Sequence, residues 1–370
     1  MQMENNHTYF MELALAEARK GQGRTSPNPA VGAVIVKNGK VVGRGYHKKA
    51  GTPHAEVNAI ADAGEHAINA TLYVTLEPCN HFGRTPPCTE AVLRCGITSV
   101  VIGMSDPNPR VAGGGADYLR GKGIEVCSGV LEQQCRALNY PFIKHSATGL
   151  PWVMMKAGLS LDGKITIHSG KGETITGPEA QRQVHQIRNQ VDAILIGVET
   201  ALVDDPSLTT RLDEAGDTRD PLRIILDSNL RLPVNARMLT QDSDAETWVI
   251  CREEAPREKE EQLVASGAKV WRITANTVGQ VDLSAMLTFL GEKKITSVLV
   301  EGGARIHGAF YRQHLVDEVL LFYAPFIVGD EGTPLVRGYS LESREAAPIL
   351  NTISLQYLGK DIFLKALVQR

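Results

Sequence analysis

Three potential metal donors and one carboxylate restrict the first half of this chain more than anything else in it. They are His54 and Glu56 of His54-Ala55-Glu56, Cys79 of Glu77-Pro78-Cys79, and Cys88 of Pro87-Cys88. Imidazole nitrogen and thiolate both bind zinc well, and a catalytic zinc keeps its fourth position open for water. To meet at one ion, the donors must be delivered by separate segments. Residues two apart on a helix point in nearly opposite directions. His54 and Glu56 therefore share a centre only if His54 stands at the first turn, and Gly51-Thr52-Pro53 before it supports such a start. Cys79 and Cys88 bracket a proline-rich loop, and Cys88 opens a helix, where the positive dipole end favours thiolate. An inert reading, a cysteine pair near a surface histidine, suits a lone pair. It does not account for three ligands, a spare carboxylate and the Glu-Pro-Cys context together. His81 is a conceivable fourth ligand, but a closed site would exclude water.

The pattern around these residues alternates strands with helices, which implies layered α/β architecture. Helices are expected at 9–20, 54–63, 89–94 and 116–120. Strands are expected at 31–36, 40–46, 71–76, 99–104 and 124–126, with Asn38-Gly39 as a hairpin turn. Residues 144–151 read as a linker, and after it the pattern restarts. Strands follow at 152–157, 193–197, 223–226, 247–251, 269–272 and 297–300, with two more near 318–323 and 353–364. Helices are expected at 178–190, 256–266, 283–291 and 303–313. The charged run 252–262 reads as a solvated helix face. At 370 residues two domains are expected, here 1–147 and 148–370.

Composition excludes several classes. A net charge of −3 leaves no basic excess for nucleic acid. No stretch is long and apolar enough for a membrane span. The six cysteines are too few for a disulfide framework in a chain this long. The beginning, MQMENNHTYF, lacks a signal-peptide pattern. A reducing cytoplasmic setting is expected, which keeps thiols free for metal.

Eight residues separate Cys79 and Cys88, against two in the common deaminase signature. That insertion, Pro78-Cys79-Asn80-His81-Phe82-Gly83-Arg84-Thr85-Pro86-Pro87-Cys88, together with Ser26-Pro27-Asn28-Pro29-Ala30-Val31-Gly32 and Asp106-Pro107-Asn108-Pro109, resembles the bifunctional deaminase-reductases of riboflavin biosynthesis. The resemblance runs from about Tyr9 onward. It implies a cytidine-deaminase-like three-layer α/β/α domain followed by a dihydrofolate-reductase-like doubly wound domain. It implies zinc on His54, Cys79 and Cys88, with Glu56 as the proton carrier. The first reaction would deaminate 2,5-diamino-6-(5-phosphoribosylamino)pyrimidin-4-one. Asn28, His47, Asp106 and Asn108 match positions near the base. Arg84 suits a phosphate, because its planar fork donates several hydrogen bonds.

No Gly-x-Gly-x-x-Gly follows an early strand in the second half. Instead Glu301-Gly302-Gly303-Ala304 joins a strand to a helix, an arrangement that can cradle an anion. By resemblance, NADPH would reduce the ribosyl group to ribityl. Lys156, Arg188, Asp204, Leu208, Arg211 and Glu301 would contact substrate. Gly158, Thr174, Thr200, Asp204, Ser228, Gly303, Ala304 and Arg305 would hold the cofactor. Many relatives carry Ser and Trp in the loop occupied here by residues 171–176; this chain has Gly172 and Thr174. A small phosphorylated pyrimidine is the expected partner, and a homo-oligomer, preferably a dimer, is the expected assembly. Two alternatives stand: another zinc nucleobase deaminase with a non-catalytic binding domain, and a zinc-stabilised interaction protein.

Overall fold

The structure, a computed structural model, describes residues 2–82, 86–107, 114–212 and 218–369. Two compact units divide the chain, Met1–Leu150 and Pro151–Arg370.

In the first unit the order is α1 (Gln2–Arg19), β1 (Gly32–Lys37), β2 (Lys40–Tyr46), α2 (Ala55–Ala63), β3 (Thr71–Leu76), α3 (Cys88–Arg94), β4 (Ser99–Met104), α4 (Gly115–Gly121), β5 (Glu125–Ser128), α5 (Glu132–Leu138) and α6 (Tyr140–Thr148). The sheet runs β2-β1-β3-β4-β5. β1 is antiparallel to both neighbours, while β3, β4 and β5 are parallel. Asn38 and Gly39 both have positive φ, as a two-residue type I′ hairpin requires. Glycines let helices press onto both faces. A Cβ on Gly32 would collide with backbone of α1, and one on Gly45 with backbone of α2. Gly45 pairs with Ala33, the residue after Gly32, so the two helices lie on opposite faces of the pleat. That is the expected three-layer arrangement. The buried core joins Val34, Ile35, Leu72, Val74, Val100 and Ile102 to Met11 and Ala59.

The linker suggested by the sequence at 144–151 is mostly helix. Residues 140–148 form α6, and only Gly149, at φ 75, ends it. α5 has no strong periodicity to announce it.

The second unit contains β6 (Trp152–Ser160), α7 (Pro178–Arg188), β7 (Ala193–Gly197), α8 (Val198–Asp204), β8 (Leu222–Leu226), α9 (Arg237–Thr240), β9 (Thr247–Arg252), α10 (Arg257–Ala265), β10 (Ala268–Ile273), α11 (Leu283–Glu292), β11 (Ser297–Gly302), α12 (Ala304–Arg312), β12 (Glu318–Ala324), β13 (Ile349–Leu358) and β14 (Asp361–Gln369). Its sheet runs β10-β9-β8-β7-β11-β6-β12-β14-β13. The first seven strands are parallel, and the last two form an antiparallel hairpin. The single strand suggested at 353–364 is therefore two. Gly359, at φ 60, reverses the chain between them. The charged run 252–262 also divides. Arg252 closes β9 and is half-buried, and the helix begins at Arg257.

Candidate active sites

The first site lies at the carboxyl end of β3. His54 is the N-cap of α2, with extended backbone at φ −72 and ψ 167. The histidine thus stands before the helix proper while Glu56 lies in the first turn, as the spacing argument requires. Cys79 follows β3 and Cys88 opens α3. One donor atom from each of His54, Cys79 and Cys88 lies within 4.8 Å of the others. His54 Nδ1 is 3.2 Å from Cys88 Sγ and 3.6 Å from Cys79 Sγ. The backbone N–H of Cys88 donates to Cys79 Sγ at 3.3 Å. The helix start therefore favours charge on Cys79 rather than on Cys88 itself. The hydrogen bond from the Cys88 thiol lowers the Cys79 thiol, the Cys88 N–H adding to it, and the same sulfur pair raises Cys88. Imidazole plus two sulfurs, one readily ionised, is a donor set that fits zinc and leaves a fourth position open. His81 is exposed and stands outside this cluster.

Glu56 is 3% exposed. Burial, with the nearby Cys79 charge, pushes its carboxyl up to about 7, close to the value that suits a proton carrier at neutral pH. His47 stands edge-on to His54, ring centroids 5.3 Å apart. Its Nδ1 donates to the Pro53 carbonyl at 3.2 Å, leaving Nε2 to accept from Asn28 Nδ2 at 3.1 Å. Asn28 and His47 thus form one polar wall beside the donor cluster. Asp106 N–H donates to Glu77 Oε2 at 3.2 Å, and Ala116 N–H to Glu77 Oε1 at 3.0 Å. Glu77 ties both flanks of that loop to the strand leading into Cys79, a role that its sequence context does not announce. Arg84 and Asn108 lie outside the described residues.

The second site gathers at the carboxyl ends of the parallel strands, where ligands of open α/β sheets sit. Arg188 of α7 clasps Glu301 of β11 with two bonds of 2.7 Å, from Nε and Nη2. Its Nη1 donates to the Thr209 carbonyl at 3.1 Å. Lys156 of β6 approaches Glu301 Oε2 at 3.6 Å. Burial opposes ionisation of Glu301, but the charges of Arg188 and then Lys156 hold it down at about 2. Burial likewise lowers Lys156, against the pull of Glu301. Two cations and one carboxylate leave a net positive charge available to an electron-rich ligand.

Other expected residues separate by what their side chains can reach. Leu208 is 4% exposed within a hydrophobic cluster and has φ 53, so its side chain belongs to the core and only its backbone is left to meet solvent or a ligand. Arg211 keeps an exposed side chain while its N–H donates to His185 Nδ1 at 3.2 Å. Burial raises the Asp204 carboxyl, and a Cβ on Gly172 would collide with Asp204 Oδ1. Thr174 is exposed. Thr176, two residues on, lies against Gly158, within 3.3 Å of where a Cβ would stand. Gly303 has φ 83, and a Cβ there would stand 3.2 Å from Thr200 Oγ1. The missing Cβ leaves the start of α12 open to close approach by an anion such as a phosphate. Ala304 opens α12 and is buried, whereas Arg305 is exposed. Ser228 follows β8.

Sequence reasoning does not single out His185 or His307. His185 accepts the Arg211 N–H and so anchors the 207–212 segment. His307 is 1% exposed; its Nδ1 faces the Leu335 carbonyl at 3.2 Å, and Nε2 is buried without a partner. Burial lowers its imidazole to about 4 from 6.5. The unfolded chain therefore takes up a proton, as pH falls from about 6.5 toward 4, that the folded protein refuses. Stability contributed by the neutral ring is complete above that window and declines through it. Thermal melts at pH 7 and pH 4.5 should show this, with His307→Gln losing less over the interval by on the order of 3 kcal/mol.

Comparison with known proteins bears on both sites. A family model described as the cytidine and deoxycytidylate deaminase zinc-binding region matches residues 4–104. A model described as the RibD C-terminal domain matches residues 151–364. The riboflavin biosynthesis protein RibD of Bacillus amyloliquefaciens is 42% identical over 360 residues, 97% of this chain and 95% of that protein. The Escherichia coli (strain K12) protein of the same name is 40% identical over 372 residues, 96% of this chain and 98% of the relative. Among solved structures, Acinetobacter baumannii RibD superposes with a TM-score of 0.87 at 35% identity, covering 99% of this chain and all of the other. A diaminohydroxyphosphoribosylaminopyrimidine deaminase/5-amino-6-(5-phosphoribosylamino)uracil reductase from Thermotoga maritima gives 0.86 at 36% identity, covering 99% of this chain and 100% of that one.

Proposed function

The chain belongs to the RibD family, the bifunctional deaminase-reductases of riboflavin biosynthesis, and on that footing we propose which residues carry each reaction and on what substrate. Residues 1–147 deaminate 2,5-diamino-6-(5-phosphoribosylamino)pyrimidin-4-one, and residues 148–370 reduce the ribosyl group of the product to ribityl with NADPH. The convergence of His54, Cys79 and Cys88 around buried Glu56 is the observation that carries the reading.

His54, Cys79 and Cys88 hold zinc, which when bound supplies a Lewis acid that makes water nucleophilic at neutral pH. Glu56 takes one proton from the attacking water and passes it to the ring nitrogen, then takes the remaining hydroxyl proton of the adduct and gives it to the departing amino group. Water adds to the amidine carbon, the exocyclic C–N bond breaks and ammonia leaves. The Asn28–His47 wall orients the base. Asp106 and Asn108 stand near the substrate, and Arg84 pairs with its phosphate.

NADPH supplies the hydride in the second unit. Thr200, Gly303 and Ala304 cradle its phosphates, with Gly158, Thr174, Ser228 and Arg305 along its length. Lys156 and Asp204 manage the proton that accompanies reduction of the opened sugar. Arg188, Arg211 and the Leu208 backbone hold the substrate, and Glu301 fixes Arg188 and Lys156 in place. The test supplies the purified protein with diaminopyrimidine substrate and NADPH while following ammonia and nucleotide absorbance separately. Changing Lys156 should abolish nucleotide oxidation alone, and changing Glu56 should abolish both signals, with nucleotide oxidation returning when the deaminated intermediate is supplied; that pattern supports this reading. Ammonia release that survives loss of Glu56 would overturn it.

The enzyme acts in the cytoplasm as a homodimer. β13 lies at the margin of its sheet and exposes Ile349, Ile353, Leu355 and Tyr357. A ten-residue edge strand with unpaired backbone groups and an apolar face is suited to a second copy. Sedimentation at micromolar concentration should give twice the chain mass, and Leu355→Lys with Tyr357→Lys should return it to one.

A further inference from the structure

Cations beyond β8 and in α9 and β10 are mostly paired with carboxylates. Arg231 pairs with Glu199 at 2.8 Å, Arg237 approaches Asp205 at 4.0 Å, and Arg272 pairs with Glu260. Arg252 differs. It ends β9 and is half-buried, and its Nε is buried with no hydrogen-bond partner. Among the described residues no carboxylate lies within ion-pair distance of it.

Its surroundings are built from three strand ends. The Arg252 N–H donates to the Ser228 carbonyl at 3.4 Å, just beyond β8. Ser228 Oγ accepts from the Val281 N–H at 3.2 Å, beyond β10. Between Ala275 and Val281 the chain makes a tight reversal, and Asn276 Oδ1 accepts from the N–H groups of Val278 and Gln280. Gly279 in that reversal faces the guanidinium. A Cβ there would stand 3.7 Å from Arg252 Nη1. Asp227, which precedes Ser228, is 1% exposed; one of its oxygens accepts from Leu232 N–H at 2.7 Å. Glu253 and Glu254 follow in an exposed turn.

The phosphate cradle of Gly303 and Thr200 lies at the ends of β11 and β7. β8 and β9 come next in the sheet, so Arg252 stands two strands beyond β7, about 10 Å at ordinary strand spacing. A dinucleotide laid along the carboxyl ends from that cradle brings its adenosine toward Ser228 and Arg252. In Rossmann-type sites an arginine beside the adenosine ribose accommodates a 2′-phosphate, and a guanidinium at the end of β9 can supply the same chemistry here.

We propose that Arg252, assisted by Ser228, reads the 2′-phosphate of NADPH and sets the preference over NADH. This rests on the NADPH-dependent reading of the second unit. A guanidinium with buried Nε and free Nη groups offers a fork to a dianionic phosphate that no neighbouring carboxylate claims.

The test is equilibrium binding to the full-length protein, titrating NADPH, NADH and 2′,5′-ADP. Wild-type protein should favour NADPH. Arg252→Gln should weaken NADPH and 2′,5′-ADP by about 10–100-fold and leave NADH unchanged. Arg252→Lys, which keeps charge and most of the packing, should fall between. Ser228→Ala should reduce the same preference less. A wild-type protein that binds neither dinucleotide would bring down the reductase reading itself. Wild-type discrimination that persists undiminished in Arg252→Gln and Arg252→Lys, or loss of both dinucleotides by one factor, would overturn the assignment to Arg252 alone.

Discussion

Replacing Glu56 by Gln is expected to lower ammonia release by about 10²–10⁴-fold while zinc content and nucleotide oxidation stay at wild-type levels. The amide preserves the shape of the carboxyl group but cannot accept and return a proton. Glu56 is buried and lies outside the His54, Cys79 and Cys88 donor cluster, so its replacement by Gln leaves all three proposed ligands in place. Metal analysis beside an ammonia assay separates the two effects. A fall in zinc parallel to the fall in rate would assign Glu56 to metal retention instead. Nucleotide oxidation, measured on the deaminated intermediate, reports on the same preparation through the other unit.

The second large effect is expected at Glu301. Glu301→Gln leaves Arg188 and Lys156 buried without their shared counter-charge, and breaking such an arrangement costs about 3–5 kcal/mol. Glu301 is 6% exposed at its side chain, so solvent does little to cushion the loss. Arg188 also holds the Thr209 carbonyl, and its release should disturb the segment that carries Leu208 and Arg211. Nucleotide oxidation should therefore fall steeply, ammonia release should persist, and the reductase unit should melt earlier. Wild-type pH dependence gives a second readout. The Glu301 carboxyl titrates at about 2 in the folded protein, against an ordinary 4.5. Its contribution is complete above about pH 4.5 and disappears as pH falls toward 2. Glu301→Gln should lose less stability over that interval. Unchanged melting and unchanged nucleotide oxidation in the variant would remove Glu301 from the site.

Much of this was legible in residue order because burial leaves a strong imprint on short strands. Thr71–Leu76, Ser99–Met104 and Ala193–Gly197 are nearly continuous apolar runs, and each is a buried strand. The donor trio was legible because metal binding demands particular residue types. Other parts leave weaker marks. α8 and α9 are too short to show a period. α6 contains polar residues that resemble a linker until Gly149 supplies the actual stop. His185 and His307 act through single hydrogen bonds between elements distant in sequence, which no local pattern encodes. Leu208 joins the core through its side chain at a positive φ, which residue type alone does not reveal. The preference for charge on Cys79 depends first on the Cys88 thiol placed against it and then on where one N–H points.

The contact between Gly172 and Asp204 ties two distant stretches of chain into a single evolutionary choice. A larger residue at position 172 would have to displace the carboxylate of Asp204, which ends α8. Positions 172 and 204 should therefore drift in tandem among close descendants, since a side chain at 172 requires the acid to swing aside or be shortened.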